Sequence, residues 1–384
     1  MQTRRGICYQ WPDSSVALPF AGTARKRGCG GGTAGTRRKR WRTADWRTDF
    51  FDCLPDDLVL FILTKLSATA GAPADLISVL LTCRRFCRLG VNPTVLSNIS
   101  ANGTAMKAKN WSESAHRFLN RCAEAGSVEA SYTLGMIEFY CLENRGAGAS
   151  LMAKAAVGSH AAALYSLGVI QFNGSGGSKV DKDLRAGVAL CARAAYHGHI
   201  DALRELGHCL QDGYGVRQNV AVGRRFLIQA NARELSSVIS PPSSARRWKT
   251  HREVLRRAAV FPASSLLSDF GCNVPAAEAH PANRFLVEWF AARGGPSGFS
   301  GDSEGGEARD ELRMCSHVGC GRPETRRHEF RRCSVCGAVN YCSRACQALH
   351  WKLAHKVDCA PMDRWLDDGP RRPLPAANGG GQAN

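Results

Sequence analysis

Apolar residues recur at helical spacing in the stretch that begins near residue 50. Leu58, Ile62 and Leu66 are four residues apart, so they fall on one face of a helix. Pro55 and the aspartates after it are typical of a helix start, where the fixed φ of proline and the helix dipole favour them. A break at residues 70–74 precedes a second helix. Two short helices this apolar need a further helix or a partner protein to bury them. The apolar positions of the second helix are Leu76, Val79, Leu80, Cys83 and Phe86.

An internal repeat follows between residues 112 and 233. The hexads 130–135, 163–168 and 202–207 begin with Ala and end with Leu-Gly, and these Leu-Gly steps are 33 and then 39 residues apart. Glycines break the chain after the second and third hexads, and the cap-type residues Asp183 and Asn219 start the next helices. Each unit is therefore predicted to be helix, turn, helix, and the stretch to be an α-solenoid of about three units. An ordinary helical bundle that happens to repeat is the alternative.

The remaining segments have the composition of arms and linkers. Residues 1–49 are rich in Arg, Gly and Thr, which predicts disorder, and the run 37–42 is a candidate nuclear-import signal or a solvated basic tail. Residues 283–290 predict a short apolar helix within a linker. The predicted fold class is mainly α with disordered termini. Its divisions are 1–49 (basic arm), 50–100 (apolar helical unit), 112–233 (repeats), 234–312 (linker with short helices), 313–360 (cysteine-rich finger) and 361–384 (tail).

The charge and the cysteine content limit the cellular compartments and the classes of binding partner to be expected for this protein. The chain has a formal net charge of +18 and 17 cysteines. Much of the positive excess lies in the N-terminal arm and beside the cysteines, where it offsets thiolates, so a nucleic-acid partner is not favoured. Residues 1–49 lack the apolar segment of a secretory signal, and no run approaches the roughly 18 apolar residues of a membrane span. We expect a nuclear or cytoplasmic protein that is not secreted, whose clustered cysteines bind metal.

Four closely spaced pairs of metal donors occupy the cysteine-rich finger. Short pairs place two soft donors on one ion, and the loops between them let the pairs converge. Eight donors match two tetrahedral Zn²⁺ ions with no open position, which indicates structural zinc and argues against a zinc-activated water. Spacing alone leaves the pairing open, and His350 and His328 are rivals of His355. The predicted ligands are Cys315, Cys320, Cys333, Cys336, Cys342, Cys346, His355 and Cys359.

The order of residues from Tyr341 to Cys359 closely resembles a MYND-type zinc finger, although the first cysteine pair is spaced by four residues where two are common. The resemblance implies that such fingers bind proline-containing peptides through positions matched here by Gln347 and Trp351. The alternative is that Trp351 only covers the zinc core. The resemblance also implies interleaved sites: Cys315, Cys320, Cys342 and Cys346 on one ion, and Cys333, Cys336, His355 and Cys359 on the other.

The helical unit at 50–100 resembles an F-box. Leu-Pro with following acids is matched at 54–57, the spaced Leu/Ile positions follow, and a Val-Cys-Arg-like step is matched at 81–86. The insertion at 67–75 is longer than usual, and Phe86 stands where Trp is common. From the residues alone, a plain amphipathic hairpin is the alternative. The resemblance implies docking on a Skp-type adaptor through Leu54, Pro55, Leu58 and Ile62.

The repeats are similar to Sel-like repeats, relatives of the tetratricopeptide repeat, which implies a concave face that binds peptides or proteins. The order F-box, Sel-like repeats, MYND finger resembles a family of plant F-box proteins over roughly residues 50–360. By analogy, the chain is a substrate-recruiting subunit of a cullin-type (SCF) ubiquitin ligase, with the Skp-type adaptor and cullin as partners. The alternative is a nuclear scaffold or transcriptional co-regulator. A SET-type methyltransferase is not favoured, because residues 1–310 carry no cofactor-binding motif, so a non-catalytic adaptor is predicted.

Overall fold

The computed structural model describes residues 51, 53–239, 266–271, 274, 278–295 and 312–361. Across these ranges the protein is α-helical apart from a short hairpin and one isolated bridge, which confirms the predicted class. No helix in the described ranges is long and apolar enough to cross a membrane. The basic arm 1–49, with the candidate import signal, and nearly all of the predicted tail lie outside the described residues.

Four short helices form the first unit. Pro55 immediately precedes the first of them, and the Asp75 carboxylate caps the second by accepting from the backbone N–H groups of Gly71 and Ala72 at 2.8 and 3.1 Å. The buried side chains of the unit come from three of the helices and include Val59, Leu63, Leu76, Leu80 and Val95. The helices are α1 (Asp56–Thr69), α2 (Pro73–Leu80), α3 (Arg84–Gly90) and α4 (Pro93–Ser97).

Helix α1 buries a different face from the predicted stripe. Its buried apolar positions are Val59 and Leu63, whereas Leu58 and Ile62 are exposed. Two arginines of α3 hold the start of this helix, because Arg85 Nε and Arg88 Nη2 donate to the Asp56 carboxylate at 2.8 and 2.7 Å. The Arg85 hydrogen bond lowers the pKa of Asp56. Helix α1 is therefore anchored with one apolar face inside and a second one outside.

Seven successive helices make the repeat array, and each packs mainly against its neighbours in sequence. The predicted cap residues are confirmed: Asp183 accepts from the N–H of Ala186 at 2.8 Å, and Asn219 accepts from the N–H of Val222 at 3.1 Å. The helices are α5 (Glu113–Glu124), α6 (Val128–Tyr140), α7 (Arg145–Val157), α8 (Ala161–Asn173), α9 (Leu184–Tyr196), α10 (Ile200–Asp212) and α11 (Val220–Ile239).

The last glycine of each hexad explains why the motif recurs. A Cβ placed on Gly135 of α6 would lie 3.0 Å from the carbonyl oxygen of Gly148 in α7. The same test on Gly168 and Gly207 finds the carbonyl oxygens of glycines in α9 and α11 at 3.2 and 3.1 Å. At each of these three crossings the backbones approach so closely that a side chain does not fit.

Two further elements cover one side of the array. Helix α12 (Pro281–Ala291) lies against α6 and the 3₁₀ turn Ala108–Asn110, where Glu288 accepts from the N–H of Ala108 at 3.0 Å. The finger follows it in the chain. Its elements are β1 (Arg331–Arg332), β2 (Asn340–Tyr341), α13 (Arg344–His350), a π-helical turn (Trp351–His355) and α14 (Lys356–Asp358).

The close crossing of α6 and α7 predicts that Gly135→Ala destabilises the repeats. The added methyl group would meet the Gly148 carbonyl and Met152, so we expect a loss of about 1–3 kcal/mol in the free energy of unfolding. The measurement is urea unfolding followed by circular dichroism at 222 nm. Gly146→Ala in α7 is the matched control, because nothing lies within 4 Å of the new Cβ. Alanine has a higher helix propensity than glycine, so Gly146→Ala should be slightly stabilising. Equal urea midpoints for the two variants would contradict the explanation that α6 and α7 cross too closely for a side chain.

Candidate metal centre

The eight predicted ligands come together in two groups of four. Within each group all the ligand atoms lie within 4.8 Å of one another. His350 and His328 belong to neither group: His350 Nδ1 contacts the Tyr341 hydroxyl at 3.0 Å, and His328 Nδ1 contacts Arg332 at 3.4 Å. The first group is Cys315, Cys320, Cys342 and Cys346, and the second is Cys333, Cys336, His355 and Cys359.

Local turns place these donors. The turn after Cys333 closes with a hydrogen bond from the Gly337 N–H to the Cys333 carbonyl at 2.9 Å, and Gly337 has the left-handed φ of 65° that such a turn requires. Cys342 directly follows β2, and Cys346 lies in the first turn of α13. Ser343 caps that helix by accepting from the Cys346 N–H at 3.1 Å. The β1–β2 hairpin and helix α13 thereby bring donors from distant parts of the finger close together.

The donor chemistry of the two groups suits zinc. Four thiolates, or three thiolates and one imidazole, complete a tetrahedral zinc shell and leave no vacant position for a reacting water. The two groups differ in exposure: all four cysteines of the first are buried, whereas Cys336 and Cys359 of the second are only half-buried. The first group therefore sits inside the molecule, and the second lies nearer to solvent.

The repeats cap the helix that carries part of the first group. Glu205 of α10 is buried, and its carboxylate accepts from the backbone N–H groups of Arg344 and Ala345 at 2.9 and 3.1 Å. Burial raises the pKa of Glu205, and these two hydrogen bonds partly oppose the shift. Two more solenoid side chains reach the finger in the same region: Asn173 donates to the Cys342 carbonyl at 2.8 Å, and Tyr165 donates to Ser343 at 3.0 Å.

Arg322 joins the first group to the repeats. Its guanidinium is buried, with Nη1 3.5 Å from Cys320 Sγ and Nη2 donating to Ser166 of α8 at 2.8 Å. Ser166 in turn contacts the Tyr132 hydroxyl of α6 at 3.1 Å. Four thiolates around one dication leave an excess of negative charge, and Arg322 is the buried cation beside them.

Further polar contacts extend this interface along the array. Arg326 donates to the Gly174 carbonyl at 2.7 Å, and Lys352 forms a buried ion pair with Glu234 of α11. Gly176 donates its N–H to Thr325 at 2.8 Å. The finger therefore covers one face of α8 and α10 of the same chain, and the repeats and the finger are packed together.

The predicted peptide-contact residues lie at the edge of this interface. Trp351 is half-buried, with its ring centroid 5.6 Å from Phe270 and 5.8 Å from His355. Gln347, one turn earlier, is also half-buried. Trp351 thus covers part of the second donor group and still presents surface beside the segment 266–271.

The predicted adaptor-binding residues lie on α1 and immediately before it. Pro55 is exposed, Leu54 is half-buried, and Leu58 and Ile62 have exposed fractions of 47% and 42%. Sequence reasoning missed Phe61, which is 60% exposed and lies between them. The sequence did carry a signal for Phe61, because a residue three positions after Leu58 lies on the same face of a helix.

Sequence reasoning also missed a third group of donors, Glu129, His160 and His280. His160 Nε2 lies 3.2 Å from Glu129 Oε1, and His280 Nε2 lies 3.3 Å from Oε2. Each Nδ1 instead caps a helix by accepting a backbone N–H, from Ala163 and Ala282 respectively. A nitrogen that accepts a hydrogen bond carries no proton, so the ring proton is on Nε2, where a metal would bind. This group is therefore a hydrogen-bond network. The signal for His160 was that a histidine, His160 or His199, stands three residues before the hexads that begin at 163 and 202.

The hydrogen bonds in this network set the charge of Glu129. Burial alone would raise the pKa of Glu129, but the two histidines that donate to it lower the pKa to about 2. The carboxylate is therefore ionised at neutral pH.

Comparison with known protein families matches two parts of the chain. Residues 315–359 match the family described as MYND finger, and residues 104–188 match the family described as Plant tetratrico peptide repeats. The first match contains all eight donors, and the second contains the first two hexads.

Two relatives are similar over most of their length. One F-box protein of Arabidopsis thaliana is 67% identical over 84% of this chain and 83% of its own, and another is 58% identical over 82% and 87%. Among solved structures, a Sel1 repeat protein from Oxalobacter formigenes is 21% identical, with 35% of this chain and 95% of that chain covered and a TM-score of 0.27.

The position of Arg322 predicts that Arg322→Gln weakens zinc binding at the first group. Loss of the buried cation leaves the thiolates uncompensated, and changes to such supporting residues weaken metal binding about 10- to 100-fold. Competition with a chelating dye measures this, with exposed Arg331→Gln on β1 as the matched control. Equal zinc release from the two variants would rule out a charge-balancing role for Arg322.

Proposed function

The chain belongs to the plant family of F-box proteins with Sel-like repeats and a MYND finger, and on this premise we propose that it recruits substrates to a cullin-type ubiquitin ligase. In this role the first helical unit binds the Skp-type adaptor, and the repeats with the finger bind the target. The chemistry of ubiquitin transfer belongs to other subunits. The observation that carries the proposal is the outward apolar patch of α1.

This patch, formed by Leu58, Phe61 and Ile62, supports adaptor binding because it exposes three large apolar side chains side by side on one helix. Clustered exposure of this kind is typical of protein interaction sites, whereas single exposed apolar residues are common. Lys65 lies over the Phe61 ring at 5.3 Å, so the patch has a charged edge. Protein–protein interfaces commonly have such an apolar centre with a polar rim around it.

The anchoring of α1 also supports the proposal. The ion pairs of Asp56 with Arg85 and Arg88 hold its first turn, and Val59 and Leu63 pack inside the unit. The patch therefore lies on a helix that is already held in place, so little conformational entropy is lost when a partner binds it.

For the finger, we infer two structural zinc ions, one in each donor group. Closed shells of this kind stabilise a fold that has few large apolar residues of its own. Gln347 and Trp351 are proposed to contact a proline-containing segment of the target, since an exposed part of an indole beside an amide suits such a segment.

The adaptor role predicts that Leu58→Asp combined with Ile62→Asp abolishes co-purification with the Skp-type adaptor and cullin. Both side chains are exposed, so the charges disrupt the patch without entering the core. Val157→Asp, at an exposed apolar position of α7, is the matched control and should co-purify normally. If the wild-type chain retains neither adaptor nor cullin, the ligase role is wrong and the scaffold alternative gains support.

The two-ion assignment predicts about two zinc ions per purified chain by elemental analysis. His355→Gln removes one ligand of the second group and should lower the content to about one. His350→Gln is the matched control, because this ring lies outside both groups and should leave the content unchanged. If His350→Gln lowers the zinc content and His355→Gln does not, His350 is the ligand and the assignment of His355 is wrong.

A further inference from the structure

A cavity of about 840 Å³ lies where the repeats, α12 and the finger meet. The first turns of α6, α8 and α10 form one wall, and residues 278–283 and 317–322 form much of the rest. Glu234 of α11 and the finger residues Cys346, Leu349 and Leu353 complete the lining. No single module contains this cavity, because it exists only where the finger is docked on the array.

The charges that line the cavity have the opposite sign to the chain as a whole. The chain has a net charge of +18, yet four carboxylates and one arginine line the cavity. That arginine, Arg322, is buried and directed at Cys320 and Ser166. Of the carboxylates, Glu129 has an exposed side-chain fraction of 27%, and Asp201 has one of 33%, with its Oδ1 3.5 Å from Nη1 of the buried Arg204. The other two are Glu234, paired with Lys352, and Glu278, paired with Arg284.

Glu129 is built to receive a cation. It lies between His160 and His280, and each of its oxygens faces one imidazole N–H. The Nδ1 atoms of both rings accept helix N–H groups, so the rings hold the carboxylate in place through Nε2. A carboxylate oxygen accepts more than one hydrogen bond, which leaves both oxygens able to accept from a planar two-pronged donor.

Apolar side chains of the finger stand at the same cavity. Val318 and Leu353 line it and are exposed, although each comes from a segment that carries zinc ligands. They offer surface to apolar residues on either side of a cation in a peptide.

We propose that this cavity binds a basic side chain of the target protein, an arginine or a lysine, with apolar neighbours lying on Val318 and Leu353. The inference rests on the proposed function, in that it names the chemistry of the target. Glu129 accepts from the cation, and Asp201, although it pairs with Arg204, adds a second partly exposed carboxylate to the same cavity. The guanidinium of arginine fits the two free acceptor positions of Glu129 better than an ammonium does.

A peptide array tests this with the full-length, zinc-loaded chain. The probes are nonapeptides of mixed sequence whose central residue alone is fixed as Arg, Lys, Gln or Glu. We expect Arg and Lys peptides to retain the protein at least about tenfold better than Gln peptides. Non-specific attraction to a chain of charge +18 would instead favour the Glu peptides, so the two explanations predict opposite orders.

Variants assign the preference to the cavity. Glu129→Gln should remove it, and Asp201→Asn should reduce it, while Glu113→Gln, an exposed acid of α5 outside the cavity, should leave it unchanged. Zinc content and adaptor co-purification should stay normal in all three, which shows that they fold and separates this inference from the ligase role. Equal retention of the Arg and Gln peptides, or a preference that survives in Glu129→Gln, would overturn the proposal.

Discussion

Burying four thiolates beneath the repeats is costly unless their excess negative charge is compensated, and this constraint is met where the finger contacts the repeats. Arg322 supplies the charge, with one nitrogen at Cys320 and the other at Ser166 of the repeats. Glu205 meets a second requirement of the interface, since its carboxylate accepts the N–H groups at the start of α13 that have no partner within the helix. The repeats thus complete the finger, and the cavity between them follows from that docking.

Features that depend on near neighbours in sequence could be predicted. The hexads marked the helix pairs because a glycine is required wherever two backbones cross closely, and Asp183 and Asn219 marked helix starts because a cap acts within three residues. The eight donors were visible from their spacing. Their grouping needed the family resemblance, because spacing alone also allowed sequential pairs, and the structure has the interleaved groups that the resemblance implied.

The docking of the finger could not be predicted, because its contacts join residues far apart in the chain. Thr133, Ser166 and Glu205 occupy the fourth position of the three hexads, where each looks like an ordinary polar residue of a helix. All three are buried, and each contacts a different segment: Thr104, Arg322 and the start of α13. Glu205 and Ala345 are 140 residues apart, so no periodicity connects them. The contacts that hold the start of α1 could not be predicted for a related reason, since Arg85 and Arg88 belong to another helix.

The location of the finger at the C-terminal end of the described chain has a consequence for its biosynthesis. The first helical unit and the repeats leave the ribosome before the finger, so Ser166 and Glu205 stay exposed to water until the last predicted ligand, Cys359, has been made and the finger has folded. If the two donor groups bind zinc as proposed, a cell short of zinc would hold chains in which the first helical unit is folded and the cavity between the repeats and the finger is not. In the proposed ligase role, such chains would still bind the adaptor but would lack the surface that binds the target.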